Sequence, residues 1–210
     1  MIFFFRFALV SVLLTGFARA ESCAPPPGFI DTPHPEIAPV KDLVSHTEEV
    51  VENHPLQFVI DQAEKKELKD AIRKSDALPG VAGTYPLTPD GFGEPGSRRL
   101  VCLTDGSTTE EQVLDNERTE IMTRFRYVVW NYTTDKARPI RYGVGEFVRT
   151  QLEDGRTHVV WTYSFALNRS RFPGMLGPLG DFLFRKAFLE RDYAQMMRNV
   201  IKPKSNPQEG

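Results

Sequence analysis

Five aromatic side chains on two candidate strands are the residues best placed to do chemistry. Phe125 and Tyr127 lie in EIMTRFRYVVWNYT (120–133); Trp161, Tyr163 and Phe165 lie in THVVWTYSFALN (157–168). Strand side chains alternate between faces, so each set shares one face. Val159 and Leu167 extend the second row. His158, Val160, Thr162, Ser164 and Ala166 face the other way, as do Arg124 and Arg126 on the first strand. Aromatic rings give an apolar ligand a large contact area, and the tyrosine hydroxyls can orient a polar group on it. We take these five residues as candidate ligand-binding residues. The alternative is that they fill a solid core.

The ionisable residues offer less. Glu146 sits among Val144, Phe147 and Val148 and could be a buried acid or base, although a place on the solvated face is the simpler expectation. Arg98 and Arg99 could meet Glu110 across a hairpin, as a surface ion pair. Histidines 34, 46, 54 and 158 have no metal-ligand spacing, and His158 is expected to be exposed or at an edge. No GxSxG, HExxH, P-loop or dinucleotide-binding glycine motif occurs. Neither a metal nor a cofactor is expected.

These side chains need a framework, and the order of elements suggests one. SHTEEVVEN (45–53) reads as a first strand, and PLQFVIDQAEKKELKDAIRKS (55–75) as two short helices or one bent one. A glycine- and proline-rich loop (78–97) follows. Five strands then run in sequence at 98–104, 109–117, 120–133, 139–153 and 157–168. Asp-Gly at 105–106 and 154–155 marks two hairpin turns, so the strands form an antiparallel meander. PLGDFLFRKAFLERDYAQMMRNVI (178–201) predicts a helix about 36 Å long. Its apolar stripe falls at 182/183, 187, 189, 193/194, 196/197 and 200/201 and would bury against the sheet.

With 210 residues the chain has room for one domain with a sizeable core. A formal charge of -2, with basic residues scattered, argues against nucleic acid as a partner. The first twenty residues read as a signal peptide. A twelve-residue apolar run, FALVSVLLTGFA, lies between Arg6 and Arg19, and Ala18 and Ala20 suit cleavage after Ala20. Export to the periplasm or beyond follows, with an uncleaved anchor as the alternative. Residues 21–44 carry six prolines and predict an extended leader outside the sheet. The domain is expected over 45–203, with a frayed tail at 204–210. For the cysteines, a buried thiol at Cys102 and an unpaired Cys23 is preferred to a bridge, and lipidation of Cys23 ranks last.

A strand, a helical pair, a long meander and a long final helix together resemble the START-like (SRPBCC) superfamily, which includes polyketide cyclases/dehydratases and lipid-transport proteins. PGSRRLVCLTDGSTTEEQVL (95–114) and RTHVVWTYSF (156–165) are similar to two of its loose motifs. The resemblance covers about 45–203. It implies an α+β helix-grip fold, in which a curved antiparallel sheet wraps the last helix around a ligand cavity. The expected partner is then a hydrophobic small molecule or lipid, and a membrane is met only during ligand exchange. A cyclase/dehydratase-like enzyme and an interaction domain with a filled core are the alternatives. The long 78–97 loop and the proline leader depart from the family core.

Overall fold

The computed structural model describes residues 23–202. The expected signal peptide, its cleavage site after Ala20 and the tail at 204–210 lie outside them. Seven strands form one antiparallel sheet: β1 (Val44–Glu52), β2 (Val81–Pro86), β3 (Arg98–Leu103), β4 (Thr108–Arg118), β5 (Met122–Trp130), β6 (Ile140–Gln151) and β7 (Thr157–Leu167), in the order β1-β7-β6-β5-β4-β3-β2. Two short helices, α1 (Leu56–Lys65) and α2 (Leu68–Ala71), join β1 to β2. Gly106 and Gly155 close the two Asp-Gly turns at φ +83°, where a side chain would be strained.

One strand was hidden from the sequence reading. β2 falls inside the stretch read as a loop, because VAGTYP alternates over too few residues and ends in proline. An edge strand tolerates that proline, since one row of its backbone groups needs no partner.

The chain closes on a continuous helical rod: α3 (Pro178–Phe184), a π-helical stretch (Arg185–Tyr193) and α4 (Ala194–Ile201). The π stretch has a packing reason. Phe184, Phe188, Tyr193, Met197 and Ile201 all meet the sheet, at spacings of four, five, four and four. In a regular α-helix, five residues leave the second side chain about 140° off the first. The wider turn brings Tyr193 back beneath Phe188, with ring centroids 5.6 Å apart. The predicted stripe is corrected at its start: Phe182 and Leu183 point outward, and Phe184 is the buried ring. The architecture is the helix-grip α+β fold.

The cysteine expectation is overturned. Cys23 and Cys102 form a disulfide, with Cα atoms 5.6 Å apart. It begins a strap, because residues 23–43 cross the outer face of the sheet without becoming a strand. The Ala38 N–H donates to the Tyr142 hydroxyl at 2.9 Å, and Trp130 Nε1 donates to the Thr32 carbonyl at 3.2 Å. Beneath the strap, Leu43, Val128, Trp130, Tyr142, Val144 and Ala166 form a second apolar core, which Ile37 and Ala38 cover. The first core lies on the opposite, concave face, between sheet and rod.

The hairpin ion pair is also corrected. Arg98 does meet Glu110, but Glu110 is fully buried rather than at the surface. Asn131 Nδ2 donates to its other oxygen at 2.6 Å, and Asp31 from the strap joins Arg98. Arg99 turns to the concave face and takes Glu111 at 2.5 Å.

Candidate functional site

The concave face is built in rungs, because the registers of β4, β5, β6 and β7 align matching side chains. Arg118, Thr123, Arg149 and Val159 form one rung, and Asn116, Phe125, Phe147 and Trp161 the next. Tyr127, Gly145 and Tyr163 follow, then Glu111, Val129, Gly143 and Phe165. From the first rung to the last is about 20 Å at some 3.4 Å per residue. Gly145 is needed here: a Cβ at that position would come within 2.2 Å of the Tyr127 ring. Glycine therefore lets the tyrosine lie flat across the sheet.

A cavity of about 1900 Å³ opens above this face. The sheet, α1, α2, the 78–97 segment and the final rod all contribute to its wall. All five predicted residues lie along it, but not equally. Tyr127, Trp161, Tyr163 and Phe165 are buried in its floor, where Tyr163 meets Tyr127 and Trp161 edge to face and Phe165 at a tilt. Phe125 keeps open surface. So do aromatics outside the five, among them Phe92, Tyr132, Phe147, Phe188 and Tyr193. Phe147 shares its alternation phase with Gly143, Gly145 and Arg149, so its inward direction is legible in the sequence. The concave face is thus both core and cavity wall, a packed aromatic floor beneath an open space.

The polar groups fall into distinct states. Burial pushes the hydroxyls of Tyr127, Tyr132, Tyr163 and Tyr193 above the ordinary tyrosine range, with the Glu111 charge adding to the effect on Tyr127. At neutral pH these four are hydrogen-bonding groups rather than bases. One buried polar atom in the wall, Thr123 Oγ1, has no hydrogen-bond partner among the described residues. An unsatisfied buried donor costs about 1–3 kcal/mol, so an acceptor on a bound molecule would relieve it. Arg149 is pulled down to about 10, chiefly by burial and next by the nearby Arg118 charge, while Glu64 acts the other way. It remains a cation at neutral pH.

The remaining expectations resolve on the outer face. Glu146 is on the solvated side, where Arg124 Nη2 donates to it at 2.8 Å. His158 pairs with Glu49 of β1 at 3.2 Å, near the start of β7. Among the described residues no three His, Cys, Asp or Glu side chains cluster as metal ligands, and no helix is long and apolar enough to cross a membrane.

No family model and no curated protein matches the chain. Solved structures of similar chain path exist. One is the ZhuI aromatase/cyclase from Streptomyces sp. R1128, at 16% identity and TM-score 0.48, covering 74% of this chain and 90% of that one. Another is Ara h 8.0201, at 14% identity and TM-score 0.47, covering 74% and 91%. A hypothetical protein from Helicobacter pylori is similar at 11% identity and TM-score 0.49, covering 82% and 97%. At such identities and TM-scores neither ligand nor reaction carries across.

Proposed function

We propose that this chain is an exported binding or carrier module that holds a hydrophobic small molecule or lipid between its sheet and its final helix. The observation that carries this reading is the cavity itself. At about 1900 Å³ it exceeds the roughly 300–1,000 Å³ of drug-sized sites, and aromatic rings dominate its sheet wall. An acid–base reaction has less support, since the Glu111 carboxylate is held by Arg99 and the tyrosines stay protonated. Contact with a membrane would be confined to ligand exchange. Exposed Phe172, Met175, Leu179 and Phe182, flanked in sequence by Arg171 and Arg185, offer a surface for it.

Titration with Nile red, an uncharged apolar fluorophore, tests the reading. The wild-type protein should take it up saturably, and Phe125→Ala should change the affinity with little loss of stability. Absence of uptake would defeat the proposal. Trp161→Ala separates floor from cavity. Trp161 is only 2% exposed, so its removal should cost about 3 kcal/mol in denaturant melts. That is the low end for a buried aromatic, because one edge already borders open space. A loss below about 1 kcal/mol would mean that this ring is a cavity wall and not part of the packed floor.

Export is part of the proposal. The disulfide supports it, because such bonds persist in oxidising compartments. N-terminal sequencing of the exported protein should read from Glu21, and an intact Met1 would overturn the cleavage.

A further inference from the structure

The first rung of the concave face differs from the rest. Arg149 projects from β6 into the cavity, with its guanidinium carbon 5.0 Å from the centre of the Phe147 ring. Among the described residues that guanidinium has neither an ion pair nor a hydrogen bond. Its neighbours do not neutralise it. Arg118, on the same rung, is already ion-paired with Glu64 of α1. Thr123 lies between the two arginines in register, and its hydroxyl is buried without a partner. One side of this group is therefore an unused cationic fork, and the other an unused hydroxyl donor. The next rung is wholly different, with Phe125, Phe147 and Trp161 side by side.

We infer that Arg149 and Thr123 receive the carboxylate of a single-chain amphiphile whose apolar body runs over the aromatic rungs toward Phe165 and Phe188. This rests on the apolar-cavity reading above and narrows it to a ligand class. The chemistry follows from the donors. A guanidinium offers parallel N–H groups that match the two oxygens of a carboxylate, and the threonine hydroxyl can donate to one of them. One surplus positive charge matches one negative charge. A dianionic phosphate would call for more cations than this rung leaves free. Partial burial strengthens the pairing, because water competes less for both groups. Burial of the arginine without an anion is correspondingly unfavourable, and the anion offsets that cost. The apolar chain supplies the remaining affinity along a face about 20 Å long.

Displacement of Nile red from the disulfide-intact mature protein tests this, with palmitate and hexadecanol as competitors below their aggregation limits. The two share a chain length and differ in the head. Wild type should bind palmitate about tenfold or more tightly over hexadecanol, as expected for a charge-assisted hydrogen bond. Arg149→Gln should abolish that preference and leave hexadecanol unchanged. Thr123→Val, close to isosteric, should weaken palmitate several-fold, leave hexadecanol unchanged and not lower the melting temperature. It serves as the independent check if Arg149→Gln fails to fold. Equal wild-type affinities for acid and alcohol would overturn the head-group site while leaving the apolar cavity standing. Tighter binding of a lysophosphatidate than of palmitate would overturn the choice of carboxylate. Failure of Nile red itself to bind would instead remove the cavity reading on which the inference rests.

Discussion

Leu189→Asp is expected to lower the free energy of unfolding by more than about 5 kcal/mol, enough to leave little folded protein. Leu189 is wholly buried, at the centre of the π-helical stretch that presses on the sheet. Truncating a buried leucine costs roughly 2–5 kcal/mol through lost contacts and the void left behind. Aspartate adds a carboxylate inside an apolar cluster, and an uncompensated buried charge costs about as much again. The helix can escape only by peeling away, which would expose Phe165, Phe184 and Met197 together. Circular dichroism and denaturant melts measure the outcome. A variant as stable as wild type would show that the rod does not hold the sheet, and the helix-grip assignment would fail with it.

Strands with clean alternation and turns with a forced conformation were legible in the sequence. β7 is the clearest case: Trp161, Tyr163, Phe165 and Leu167 all reach the concave core, and Val159 lines the cavity on the same face, as their period of two requires. The Asp-Gly turns fixed where β3 and β6 end, because few residues tolerate positive φ. What stayed hidden depends on contacts between distant segments. No local pattern places Cys23 beside Cys102, since 79 positions separate them and only the path of the strap unites them. β2 is short, at an edge, and disguised by glycine and proline. The π stretch leaves a single extra residue between Phe188 and Tyr193, a mark too small to separate from ordinary scatter in an apolar stripe.

The candidate site was legible in outline for the same reason. Alternation told which side chains face inward, but not how far each stands from its neighbours. Depth decided which of them became floor and which became wall. Arg149 carried a usable signal, as a charged residue in phase with Gly143, Gly145 and Phe147. Charge at an inward position argues for a partner, and the sequence alone does not show whether that partner is another side chain or a ligand. Only the register places it beside Thr123 and Arg118, whose own ion pair with Glu64 leaves Arg149 without one.

Replacing both Cys23 and Cys102 with serine should destabilise the protein by about 4.5 kcal/mol, the chain-entropy value for opening a loop of this length. Chain entropy dominates because the bond joins the start of the strap to β3, so its loss frees a long segment of the unfolded chain. The strap then depends on weaker ties, among them the Ala38 N–H on the Tyr142 hydroxyl, Trp130 Nε1 on Thr32, and the Arg98 contacts to Asp31 and the Thr32 carbonyl. Hydrogen exchange at the Ala38 amide should therefore accelerate in the double variant before the sheet itself opens. Nile red binding should survive under native conditions, because Cys102 lies on the outer face and the cavity on the concave one. Reduction of wild type should reproduce the double variant in denaturant melts. A loss below about 1 kcal/mol would mean that the non-covalent contacts hold the strap unaided. Loss of dye binding in a still-folded variant would mean that the strap shapes the cavity through the sheet, and that the two faces are not independent.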